Sequence, residues 1–283
     1  MAKTNRQKKM ERALKDQNSA AVAQQRGVAQ GERTEARIRS ERFRCESLFE
    51  RQKGKKTARK VLTESLWKIR IRLLSPLHLG AGGGDVNLDA EVEHDRFGVP
   101  IFPAKRLRGL LYESGLEVAE MAECANASFL TRDTLDELFG HKMGSPVCLS
   151  LHDLQLSDDE KNAAPVSPVW QALEAEYPSL ITPARVLEQY TSMRYQTKID
   201  RKTGVASDTS FHNMRVLNEG LVFFGSLEME GSEERHRKAM ALAIHNLTKV
   251  GVKRNRGLGR IWCEIVDTDM AALAREAMEE EAV

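Results

Sequence analysis

Trp67-Lys68-Ile69-Arg70-Ile71-Arg72-Leu73 alternates apolar and cationic side chains without a break. A period of two is the mark of a strand with one face buried and one face wet. Structure is expected to begin near Val61. Pro76 and the glycines Gly80, Gly82, Gly83 and Gly84 end the first strand, and a second strand-like stretch runs through Val86–Glu93. Arg96-Phe97-Gly98 reads as a turn, and Val99-Pro100-Ile101-Phe102-Pro103 leads into an amphipathic helix over roughly Ala104–Ala119. Leu135–Phe139 closes another helix at Gly140, and Val147–Leu156 alternates again around Asp153.

Further along, Asp158–Leu187 carries four prolines and reads as an insertion or long loop. Three strand-like segments follow, Met193–Arg201, Ser210–Val216 and Leu221–Glu228. Glu233–Val250 has helical spacing, with Ala239, Leu242, Ala243, Leu247 and Val250 on one side. A last strand is predicted over Leu258–Val266 and a short exposed helix over Asp267–Glu281. The order strand–helix–strand–strand–helix–strand, with strands inserted, predicts an α+β fold with a ferredoxin-like or RRM-like core.

The charge is unevenly laid out. The net is +2, but residues 1–66 hold 18 Lys/Arg against 8 Asp/Glu, and the rest hold 25 against 33. Residues 1–60 are rich in Gln, Lys, Arg and Ala, which predicts a basic extension, helical or disordered, that meets a polyanion or an acidic partner. The four cysteines Cys45, Cys124, Cys148 and Cys263 are scattered, without zinc or disulfide spacing. No apolar run reaches the length of a membrane span, so a cytoplasmic protein is expected.

Two glycine-and-cation segments carry the functional reading. Gly251-Val-Lys-Arg-Asn-Arg-Gly-Leu-Gly-Arg260 lies between a helix and a strand. Its glycines Gly251, Gly257 and Gly259 permit close backbone approach, while Lys253, Arg254, Arg256 and Arg260 suit phosphate. It is equally a plain turn by pattern, and it lacks the ending of a nucleotide P-loop. The second segment is the Gly80–Gly84 turn together with Lys105, Arg106 and Arg108 at a helix start. Cations there oppose the helix dipole, which makes sense if a phosphate occupies that end, and solvated cations are the alternative.

Taken together these segments resemble the RAMP superfamily of CRISPR-associated proteins. The superfamily's pattern G-x-P-x-I-P-G-S-S-L-K-G stands here as Gly98-Val-Pro-Ile-Phe-Pro-Ala-Lys-Arg-Leu-Arg-Gly109. Ala104, Lys105 and Arg106 depart from it, and Arg108 takes the place of the usual Lys. Leu138-Phe-Gly140 with Val147–Leu156 resembles the next block, and Gly251–Arg260 the C-terminal glycine-rich loop. Arg194-Tyr-Gln-Thr-Lys-Ile-Asp-Arg-Lys-Thr-Gly-Val-Ala206 is similar to the β-hairpin thumb of type III backbone subunits.

The resemblance implies an RNA-binding domain over 61–267, with a thumb at 193–217, a segment 158–187 inserted and a tail at 268–283. It implies guide RNA, target RNA and other effector subunits as partners, with Arg194, Lys198 and Arg201 joining the cations above as RNA contacts. It also implies metal-dependent cleavage of target RNA, with Mg²⁺ or Mn²⁺ at Asp89; Asp85, Glu91 and Glu93 are rivals for that role. Two other readings stay open: a non-cutting scaffold or capping subunit, and a guide-processing endonuclease with His78 as base. Tyr195 and Phe211 are core candidates or base-stacking residues.

Overall fold

The computed structural model describes residues 66–83, 90–158, 163–197, 199–200, 202, 204–206 and 210–279. The chain divides into two units, Met1–Lys53 and Gly54–Val283, and every described residue lies in the second. The basic extension at 1–60 and the start at Val61 therefore fall outside the described residues. So do Asp89, Gly84, Lys198 and Arg201, and most of the strand-like stretch expected over Val86–Glu93.

The alternating stretch forms β1 (Leu66–Leu73). Trp67, Ile69, Ile71 and Leu73 are each at most 2% exposed, and each such side chain contributes about 1.5–3 kcal/mol by leaving water. Next come β2 (Ile101–Phe102), α1 (Ala104–Cys124), α2 (Arg132–Leu138), β3 (Cys148–Leu151) and β4 (Leu154–Ser157). The remaining elements are α3 (Ser167–Glu176), α4 (Pro183–Tyr190), β5 (Thr191–Gln196), β6 (His212–Leu217), β7 (Val222–Glu230), α5 (Glu234–Asn246), β8 (Ile261–Ile265) and α6 (Met270–Glu279).

The main sheet runs β2-β4-β7-β1-β8, with every pairing antiparallel. β3 and β4 lie end to end along the same edge of β7, interrupted at His152 and Asp153. One face packs on the helices through a single core that joins Trp67, Ile69, Phe223 and Leu227 to Leu107, Leu111, Met240 and Ile244. On the other face Lys68, Arg70 and Arg72 share positions with Ser226, Glu264 and Trp262. There Arg70 pairs with Glu264 at 2.6 Å, and Trp262 is half exposed.

The expected helices are present, and α1 extends past Ala119 to Cys124. A Cβ at Gly115 would come within 2.8 Å of Leu135 Cδ2 and 3.6 Å of Ala243 Cβ, so the missing side chain lets α1 pack closely on α2 and α5. The seam also carries a hydrogen bond from Ser114 Oγ to Ala243 O.

Two expectations change. The segment 158–187 is not a plain loop: two of its four prolines, Pro168 and Pro183, stand at the starts of α3 and α4, where a missing N–H costs nothing. α6, expected to be exposed, buries Met270, Leu273, Ala274 and Ala277 and packs on α5.

The described cysteines Cys124, Cys148 and Cys263 are free, and burial pushes the Cys263 thiol up to about 12. Among the described residues no helix is long and apolar enough to cross a membrane.

Candidate nucleic-acid interface

β5 and β6 form a separate two-stranded hairpin, paired from Thr191↔Leu217 to Gln196↔His212. Beyond the strands it is continued by an Ile199↔Ala206 bridge and by hydrogen bonds from Asp200 N to Val205 O and from Gly204 N to Asp200 O. Asp200 Oδ1 accepts from Lys202 N at 2.8 Å, and Gly204 takes a φ of +68°. Lys202 and Gly204 of the anticipated turn thus stand where the chain reverses, and Thr203 lies outside the described residues. Tyr195 and Phe211 are not core residues: they stack on the hairpin at 5.8 Å between centroids, each about two-thirds exposed.

The glycine-rich loop after α5 is closed at its neck. Val250 N donates to Gly259 O at 2.8 Å, and Lys249 bridges Arg260. Its inner side rests on Pro76–His78, the segment that follows β1. Gly259 N donates to Pro76 O, Val252 N donates to His78 O, and a Cβ at Gly251 would stand 2.4 Å from Leu77 Cδ1. Leu258 packs with Met214 and Val216 of β6 in a small second core.

The Gly80–Gly83 turn completes the cluster. Ala81 N donates to Glu91 O, and Glu93 N donates to Leu79 O, so the turn folds back on Glu91–Glu93. Arg106 of α1 donates to Gly80 O. Thus the helix start, the glycine turn, the glycine-rich loop and the hairpin, far apart in sequence, form one continuous surface.

Its cations serve different ends. Lys105, Arg194, Arg256 and Arg260 are exposed on or beside it. Arg254 pairs with Glu113 of α1 at 3.2 Å. Lys253 reaches the hairpin, where its Nζ donates to Gln196 Oε1 and lies 3.3 Å from His212 Nε2. Arg108 is turned away, its guanidinium donating to Phe139 O at 2.6 Å and Leu149 O at 3.3 Å.

The anion expected at the start of α1 is supplied from within. Asp153 Oδ1 accepts from Ala104 N at 2.7 Å, because the break between β3 and β4 presents that carboxylate to the helix end. Neither Asp153 nor its partner helix signals this contact locally, being 49 residues apart.

Of the described carboxylates near the Gly80–Gly83 turn, Glu91 and Asp95 already have structural partners. Glu91 Oε1 lies 2.8 Å from Arg215 Nε and also accepts from Val92 N. The Glu91–Arg215 contact has ion-pair distance without good hydrogen-bond alignment. Asp95 accepts from Phe97 N, Val99 N and Ser167 Oγ. Among the described residues no three His, Cys, Asp or Glu side chains stand together as a metal site. His78 is only 4% exposed, its Nδ1 sits 2.7 Å from Arg215 O, and a Cβ on Gly80 would lie 2.8 Å from its Nε2. That environment suits a structural histidine.

Sequence reasoning picked out Asp153 without its role and passed over the roles of Gln196, His212 and Arg215, because all four arise only from tertiary contact. The RAMP superfamily model matches residues 70–262. The chain belongs to the RAMP superfamily.

No curated protein sequence matches it. Among solved structures, a chain of the cryo-EM structure of the Type III-B Cmr-beta bound to cognate target RNA is similar. That likeness has a TM-score of 0.51 and 15% identity, covering 71% of this RAMP chain and 97% of that one. A chain of the apo Type III-B Cmr-beta gives 0.50 and 15%, covering 72% and 98%. A Type IV-B CRISPR complex chain gives 0.46 and 13%, covering 72% and 91%. At such identities the two Cmr-beta likenesses show a shared fold.

Proposed function

We propose that this RAMP protein is a guide-RNA-binding backbone subunit of a type III CRISPR effector complex and that it cleaves target RNA at Asp89. The observation that carries the RNA reading is the convergence of the glycine turn, the glycine-rich loop, the start of α1 and the β5–β6 hairpin on one surface bearing exposed Lys105, Arg194, Arg256 and Arg260. Exposed cations over backbone amides and glycines suit a phosphate backbone, and the stacked Tyr195–Phe211 pair suits bases. Sequence would then be read by guide pairing.

The strand order β8-β1-β7-β4, with α1 and α5 against one face, supports the ferredoxin-like core. The separate hairpin supports the thumb. The cleavage reading rests on the family spacing that selects Asp89. Asp89 lies outside the described residues, and a Mg²⁺ or Mn²⁺ ion held by a single carboxylate would rely on oxygens of the RNA itself for its other ligands.

The test is reconstitution with guide and target RNA. Asp89→Ala should abolish target cleavage and leave guide binding intact, with chelation having the same effect on the wild type. Cleavage by Asp89→Ala at the wild-type rate overturns the catalytic assignment. Intact RNA binding without cleavage by the wild type points to the scaffold or capping role. In the same complex, Arg256→Ala with Arg260→Ala should lower the salt slope of guide binding by about 0.7 per phosphate lost. An unchanged slope overturns the interface.

A further inference from the structure

We propose that Lys253 is a positioning residue that tethers the β5–β6 hairpin to the glycine-rich loop, setting the opening between them, and does not bind RNA phosphate. The inference rests on the RNA-binding reading only for what that opening would hold.

Lys253 has a φ of +58°, the left-handed region that a side-chain-bearing residue seldom occupies. That backbone sends its stem across to the hairpin. There Nζ donates to Gln196 Oε1, lies 3.3 Å from His212 Nε2 and lies 3.7 Å from Met214 Sδ. Gln196 and His212 are directly paired in the strand register, so one ammonium grips both strands at once.

The imidazole is set for this role. Its Nδ1 lies 3.0 Å from Ser210 O, which can only accept, so Nδ1 carries the proton and Nε2 offers its lone pair to the lysine. Met214, buried beneath, closes the contact from below with Leu258. An ammonium spent on an amide oxygen and an imidazole nitrogen has little left for phosphate. The neighbouring Arg256 and Arg260, exposed on the same loop, do not share that commitment.

The tether is tested on the full chain without RNA by amide hydrogen exchange, comparing wild type with Lys253→Met, Lys253→Arg and His212→Phe. Lys253→Met should speed exchange at the amides of β5 and β6 about tenfold, the scale of one charge-assisted hydrogen bond. Lys253→Arg should restore most of the protection, and His212→Phe, which keeps the lysine, should speed exchange as well.

A second arm measures binding of a single-stranded RNA oligonucleotide across a salt series. For a tether the slope for Lys253→Met equals that of wild type, even where affinity falls. Unchanged hairpin exchange in both Lys253→Met and His212→Phe overturns the proposal, as does a slope lowered by about 0.7, the signature of a lost phosphate contact. Should the wild type bind no RNA, the functional reading fails while the exchange measurement still decides the tether.

Discussion

Two glycines of the same loop separate backbone conformation from close approach. Gly257 and Gly259 both have positive φ, +81° and +73°. An added Cβ at Gly257 meets nothing within 4 Å, whereas at Gly259 it would stand 1.9 Å from Val250 O. Gly257→Ala therefore costs only the left-handed backbone, about 1–2 kcal/mol, offset by about 0.4–1 kcal/mol from the stiffer unfolded chain. Gly259→Ala adds a clash with main chain that cannot rotate away. Relief of the clash opens the neck and puts three hydrogen bonds at risk: Val250 N to Gly259 O, Gly259 N to Pro76 O and Ile261 N to Thr248 O. At about 1 kcal/mol each, the second variant should be the less stable by about 2–4 kcal/mol. Urea unfolding at constant slope reads the difference as a shift in midpoint. Equal midpoints for the two variants would refute the claim that the neck, and not glycine content as such, holds the loop.

Two further outcomes follow from side chains whose role the structure assigns. Arg108→Ala should lower stability by about 2–3 kcal/mol, because the guanidinium satisfies Phe139 O and Leu149 O, while the salt slope of RNA binding stays unchanged. A lower slope with unaltered stability would return Arg108 to the RNA. Glu137 is held below its ordinary 4.5 by hydrogen bonds from Lys142 and His236 and by the Arg235 charge. A carboxylate depressed on folding contributes stability that is full above its unfolded pKa and drains as pH falls through the lower folded value. Glu137→Gln should flatten that acid limb in urea midpoints measured from about pH 6 down to about pH 3. Parallel curves for the two proteins would contradict this.

The elements most legible in the sequence are those whose burial is local and periodic. Trp67, Ile69, Ile71 and Leu73 announced β1, and the apolar faces of α1 and α5 were equally plain. What misled was punctuation. Pro168 and Pro183 read as loop breakers, yet each opens a helix. The candidate surface was legible as segments and opaque as an assembly. Lys105, Arg106 and Arg108 are adjacent in sequence, but one faces solvent, one holds Gly80 and one is drawn inward to α2 and β3. No pattern could reveal that Asp153 already answers the start of α1. Nor could Lys253 betray its partners, since Gln196 and His212 meet it only after the hairpin forms.

The neck formed by Lys249, Val250, Gly259 and Arg260 has a consequence for how such a chain can vary. Because it fastens both ends of the loop to the segment just after β1, residues at the tip can change length or charge without altering the register of β8. Each loop residue beyond the neck adds little closure cost, which grows only slowly with length. The scaffold and the chemistry it displays can thus diverge at different rates, with the boundary between them drawn at the neck.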